Sequence, residues 1–231
     1  MTLRADAPPS APLRTYHPVQ ALLIGLTFVT GMVDAITYLD LGRVFAANMT
    51  GNAVLLGFAL VGADQISVPA SLVALASFLG GATLGGRLAR ELEQTQHRWI
   101  VTSLGLESGL LAAAMLGALL RPTVSDHAIV GLLALAMGLR TATVRRIAIP
   151  DLTTTVLTVT LAGLAADTQV PGGAPGAMGR RLAAVAAMLL GAATGALLLR
   201  AGGAAAAIGA ALGLLLLGTA GYLATLRGTR S

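Results

Sequence analysis

Apolar residues run along this chain in long blocks rather than in alternation, and the blocks are too long for half-buried strands. Six of them, at residues 19–39, 68–90, 99–120, 127–148, 181–201 and 204–226, are long enough for a helix to cross a hydrocarbon core of about 30 Å at about 1.5 Å per residue. Two shorter apolar blocks, 48–62 and 153–167, open on polar residues: Asn48, Thr50 and Asn52 in one, Thr153, Thr154, Thr155 and Thr158 in the other. The pattern predicts an all-α integral membrane protein with six transmembrane helices and two short re-entrant or broken helices. Residues 1–18, polar and carrying four prolines, read as a disordered cytoplasmic arm, and 227–231 as a cytoplasmic tail. The first block contains Asp34 and lacks a small-residue cleavage site, so it is read as a retained span rather than a signal peptide.

Composition agrees with the pattern. The chain is 55% hydrophobic and only 11% charged, with a mean hydropathy of +0.81. A soluble domain of 231 residues needs a polar exterior that 15 basic and 10 acidic residues cannot supply. The 29 glycines suit helices that approach closely in lipid. With no cysteine, disulfides, thiolate metal sites and cysteine catalysis are excluded.

The net charge of +5 is carried entirely by arginine among the basic residues, and its placement speaks for topology rather than for nucleic acid. If all eight blocks cross, flanking arginines divide seven against seven. If the two short blocks return to the side they entered from, Arg87, Arg90, Arg98, Arg145 and Arg146 join the inner side and Arg121 leaves it. The division is then eleven against three, with Arg140 inside a span. This count favours six crossings in a bacterial inner membrane, with both termini cytoplasmic.

The chain also reads as duplicated, with one membrane repeat at 19–120 and a second at 121–226. Gly31-Met32-Val33-Asp34-Ala35 leads into the first short block as Gly138-Leu139-Arg140-Thr141-Ala142 leads into the second. Further on, Leu79, Gly81, Ala82, Gly85 and Arg90 fall on Leu189, Gly191, Ala192, Gly195 and Arg200. Three crossings per repeat invert the second copy relative to the first, the plan of many secondary transporters.

Gly31-Met32-Val33-Asp34-Ala35, followed by Val44-Phe45-Ala46-Ala47-Asn48-Met49-Thr50-Gly51-Asn52, resembles the YoaK family of bacterial membrane proteins of unknown function, as does Ala136-Met137-Gly138-Leu139 before a threonine-rich segment. The resemblance runs across most of 19–226. It implies an integral membrane protein of about six spans and names no substrate. Arg140 stands where a glutamine is expected, and Thr158-Val159-Thr160 lacks an expected glycine.

The candidate substrate-binding residues are Asp34, Asn48, Thr50, Gly51, Asn52, Thr154, Thr155 and Thr158. A short helix beginning near Asn48 at mid-depth would aim free N–H groups and a positive dipole end at the centre, where polar or anionic groups bind. The threonines after Pro150-Asp151 would do the same from the other side. In the plainer reading all of these cap and pack helices. Asp34, an ionisable group inside a span, is expected either at the solvated interface or beside the Asn48 helix start as a proton or cation ligand.

Glu107 and Arg140 sit at equal depth, about 12 Å, on consecutive antiparallel spans and are expected to form an intramembrane ion pair. The three histidines lack metal-site spacing, so no metal is expected, and no cofactor either. No enzyme motif is visible. The expected function is a secondary transporter, permease or exporter, of a small polar or anionic solute, with coupling to a proton or ion left open; a passive channel and a non-transporting scaffold are the alternatives. The expected partners are the lipid bilayer and that solute, with a homo-oligomer open and no nucleic acid.

Overall fold

The computed structural model describes residues 17–63, 66–92, 96–147 and 177–228. Among them the chain forms six helices: α1 His17–Asp40, α2 Met49–Leu60, α3 Val68–Glu91, α4 Gln96–Leu119, α5 Asp126–Ile147 and α6 Ala177–Gly228. The stretch 153–167 lies outside the described residues. Five helices are long and apolar enough to cross a membrane, and α2 is the short apolar one. The protein is a multi-pass membrane protein, and leucines such as Leu79, Leu106, Leu189 and Leu217 stand exposed on its outer faces, where lipid replaces water.

The last helix is two helices. Gly203 has φ 74° and ψ −178°, a conformation open to glycine and strained for any residue with a β-carbon. It divides α6 into an arm at 177–202, here α6a, and an arm at 204–228, here α6b. Each arm alone is long enough to span about 30 Å.

Contacts between helices give their directions. Gly191 and Gly195 of α6a lie against Phe28 and Met32 of α1, so these two run parallel. Gly81 and Gly85 of α3 lie in the same way against Leu135 and Leu139 of α5. α4 is antiparallel to α5, with Gly117 beside Ile129 and Glu107 paired with Arg140. α6b is antiparallel to α4, with Gly209 beside Met115 at one end and the His97 Nδ1 to Tyr222 hydroxyl hydrogen bond, 2.9 Å, at the other.

Arg121, just after α4, pairs with Asp40 at the end of α1 at 2.7 Å and with Asp126 at the start of α5 at 2.6 Å. The ends of α1 and α4 therefore share one face with the starts of α3 and α5. In sequence order the long rods point alternately toward and away from this Asp40 face. The segment 41–67, which contains α2, leaves and rejoins the bundle at the Asp40 face, while α5 ends and α6a begins at the opposite one.

Two crossings match residue for residue. A β-carbon at Gly31 would collide with the backbone of Met188 and Ala192, and one at Gly138 with the backbone of Phe78 and Ala82. Setting Gly31 on Gly138 and Gly81 on Gly191 turns the α1–α6a crossing into the α5–α3 crossing. α1 and α5 are the inner helices: 61% of an apolar 18-residue stretch is buried in each, against 33% in α3 and 39% in α4.

Candidate functional site

The site begins where α1 ends. Leu41 still donates to Thr37 O at 3.2 Å, and then Gly42 and Arg43 take φ values of 113° and 56°, which turn the chain back along the bundle. The returning segment of residues 44–48 is held by two side chains. Asp34 Oδ1 accepts from the Ala47 N–H at 2.8 Å. Asn52 clasps the Phe45 backbone on both sides, accepting from its N–H at 2.8 Å and donating to its carbonyl at 2.6 Å.

These bonds set the depth of α2. Asp34 lies six residues before the end of α1, so the head of α2 sits about 9 Å below the Asp40 end by helix rise. Asn48 is its N-cap, its Oδ1 accepting from the Gly51 N–H at 3.1 Å. Gly51 is small because a β-carbon there would stand 3.0 Å from both the Asn48 carboxamide and the Phe45 ring. The Phe45 ring in turn stacks on Tyr38, centroids 4.9 Å apart.

The head of α2 opens on a cavity of about 760 Å³. Thr30, Asp34 and Tyr38 of α1 line one wall, and residues 45 and 47–51 with Val54 and Leu55 another. Phe78 of α3, Met188 of α6a and Thr141 and Arg145 of α5 complete the lining among the described residues. Several liners are equivalent under the same superposition of halves: Asp34 with Thr141, Tyr38 with Arg145, Phe78 with Met188. The cavity thus lies between the two inner helices, where a two-fold axis relating the halves would run.

Asp34 is buried, 5% exposed, in that wall. Its carboxylate accepts from the Ala47 N–H, one residue before the N-cap, and Asn48 takes the Gly51 N–H of the first turn.

Below it lies the second polar centre. Arg140 and Glu107 are ion-paired with side chains 1% and 2% exposed. Arg140 Nε donates to Glu107 Oε1 at 2.7 Å, and Nη2 bonds to the same oxygen. Nη1 reaches α1, donating to Leu26 O at 2.7 Å and to the Thr30 hydroxyl at 2.9 Å. The guanidinium thus ties α4, α5 and α1 together one helical turn from Asp34.

Of the residues singled out from sequence, Asp34, Asn48, Thr50 and Gly51 line the cavity. Asn52 is wholly buried and spends its carboxamide on Phe45, so it holds the turn that positions the others. Thr154, Thr155 and Thr158 lie outside the described residues. Sequence reasoning missed Thr30, Tyr38, Phe78, Thr141, Arg145 and Met188 as liners. Carrying the Gly31–Gly138 correspondence three residues on would have led from Asp34 to Thr141.

Comparison with known proteins places residues 22–220 under a family described as a protein of unknown function, DUF1275. The chain is 39% identical over 147 residues to the UPF0700 transmembrane protein YoaK of Bacillus subtilis (strain 168), covering 63% of this chain and 65% of that protein. The match therefore spans just under two thirds of that relative's length. No solved structure matches.

Proposed function

From the premise that the chain belongs to the DUF1275 family of transmembrane proteins of unknown function, we propose that it is a secondary carrier of a small polar solute, working by alternating access rather than as an enzyme. The observation that carries this reading is the cavity at the head of α2, about 760 Å³ and walled by both inner helices, with a buried carboxylate in it. Pockets of ~300–1,000 Å³ with a few placed polar groups are the size class of small-molecule sites.

The architecture supports the same reading. In this proposal α2 is a re-entrant half-helix entered from the Asp40 face, and 153–167 is its counterpart from the opposite face. The rods α1, α3 and α4 form one repeat; α5, α6a and α6b form the other, inverted. The matched glycine crossings, the opposed helix directions and the paired cavity liners all favour that duplication. Carriers of this plan bind at the midplane between inverted repeats, beside broken helices. The arginine count favours an orientation with the Asp40 face outside and both termini in the cytoplasm of a bacterial inner membrane.

The two crossed pairs, α1 with α6a and α3 with α5, are the natural rigid bodies. Their glycine-to-backbone packing leaves no slack, whereas α1 and α5 meet chiefly through Arg140 and the cavity. Rocking one pair on the other would open the cavity alternately to each face. The buried Asp34 carboxylate in the wall favours a polar or cationic solute over an anionic one.

The test is uptake into proteoliposomes from a mixture of labelled amino acids, monoamines and monosaccharides. The expected result is saturable uptake of at least one component, accelerated by the same component inside, and lost in folded Asn48→Ala. Uptake no greater than in empty liposomes would overturn the reading. Conductance that does not saturate would mean a channel instead.

A further inference from the structure

Three charged side chains lie within the spans around the cavity: Asp34, Glu107 and Arg140. Glu107 and Arg140 neutralise one another at 1–2% exposure. That leaves one negative charge over, on Asp34, which is 5% exposed and has no ion pair among the described residues. The other charged liner, Arg145, stands exposed on the last turn of α5, where water screens it.

A carboxylate at this depth is costly to keep without a counter-charge. Its fixed partner, the Ala47 N–H, is a dipole and not a cation. The wall around it suits one kind of counter-ion. Tyr38 and Phe45, stacked 4.9 Å apart, and Phe78 supply aromatic surface, and Thr50 and Thr141 supply hydroxyl oxygens. The faces of aromatic rings attract organic cations, and the oxygens accept ammonium N–H groups.

We propose that the cavity binds an ammonium group, with Asp34 as its counter-charge and the aromatic wall against its carbon skeleton. This rests on the carrier reading for its purpose and sharpens the solute class to amines and ammonium-bearing zwitterions. In the zwitterions, Arg145 is the group available to a carboxylate.

The test is equilibrium binding to the purified full-length protein in detergent, with 2-phenylethylammonium and 3-phenylpropionate as cation and anion of matched shape, and phenylalanine as the zwitterion. The cation should bind saturably and the anion should not. Asp34→Asn, which keeps an oxygen for Ala47 N–H, should weaken cation binding at least about tenfold. Asp34→Glu should retain most of it, and Glu91→Gln, on the exposed end of α3, should change nothing. Tighter binding of phenylalanine than of the amine identifies zwitterions as the source of the ammonium; the reverse identifies simple amines.

Preference for phenylpropionate, absence of cation binding, or equal cation binding by folded Asp34→Asn would overturn the inference. Should Asp34→Asn not fold, the wild-type comparison of cation with anion decides alone. Because binding is read without flux, its failure is distinct from failure of the carrier reading: cation binding without uptake would sink only the carrier.

Discussion

Arg140 makes four polar contacts to three groups on two helices, and no part of its guanidinium meets water. Removing either member of such a buried pair strands the other, at about 3–5 kcal/mol, whereas replacing both with apolar residues removes the desolvation cost as well. Arg140→Met and Glu107→Leu should each lower thermal stability sharply in detergent, and the double variant should be more stable than either. A double variant as unstable as the sum of both would contradict this account. Helix rise alone placed Glu107 and Arg140 at one depth, so their pairing was legible in the sequence. The Leu26 carbonyl and Thr30 hydroxyl were not, because α1 is more than a hundred residues away and a backbone acceptor carries no signature.

Asn52 shows the same divide at shorter range. Its place in an Asn-Met-Thr-Gly-Asn run marked it as important, but not that its amide would be consumed by Phe45 seven residues earlier. Asn52→Ala strands the half-buried N–H and carbonyl of Phe45, each worth about 1 kcal/mol or more. Proteolysis or hydrogen exchange should then find the 41–48 segment loosened while the long helices stay protected; unchanged protection there would refute the clasp.

Among elements, the crossings α1–α6a and α3–α5 depend on glycine for close approach. A β-carbon at Gly81 or Gly138 would meet the backbone of the facing helix, which cannot swing aside as a flexible side chain can. Gly138→Ala and its equivalent Gly31→Ala should each destabilise by about 1–3 kcal/mol. Gly86→Ala, where a β-carbon has open space, should be neutral within about 0.5 kcal/mol. Equal effects at all three would show that the crossings are not tight. The spacing Gly81/Gly85 and Gly191/Gly195 announced close crossings, but each partner lies in the other half of the chain, and a spacing motif does not name its partner. The kink at Gly203 agrees with the break between blocks 181–201 and 204–226, where Gly202-Gly203 interrupts the leucines.

At the scale of the whole molecule, apolar block lengths and arginine placement made the membrane class and the long helices legible, because lipid forces every span to satisfy its backbone internally. The cavity was not legible. It is made by residues from five elements brought together by crossings that sequence periodicity cannot encode. The proposed carrier rests on a shape: two short segments entering from opposite faces, with α2 anchored at its head by Asp34. The native chain has no cysteine, so single thiols can be placed against no background. The most direct measurement is labelling of Asp64→Cys and Asp167→Cys by a membrane-impermeant maleimide in intact cells and in inverted vesicles. The account predicts that Asp64→Cys labels only from outside and Asp167→Cys only from inside; labelling of both from one face would contradict it.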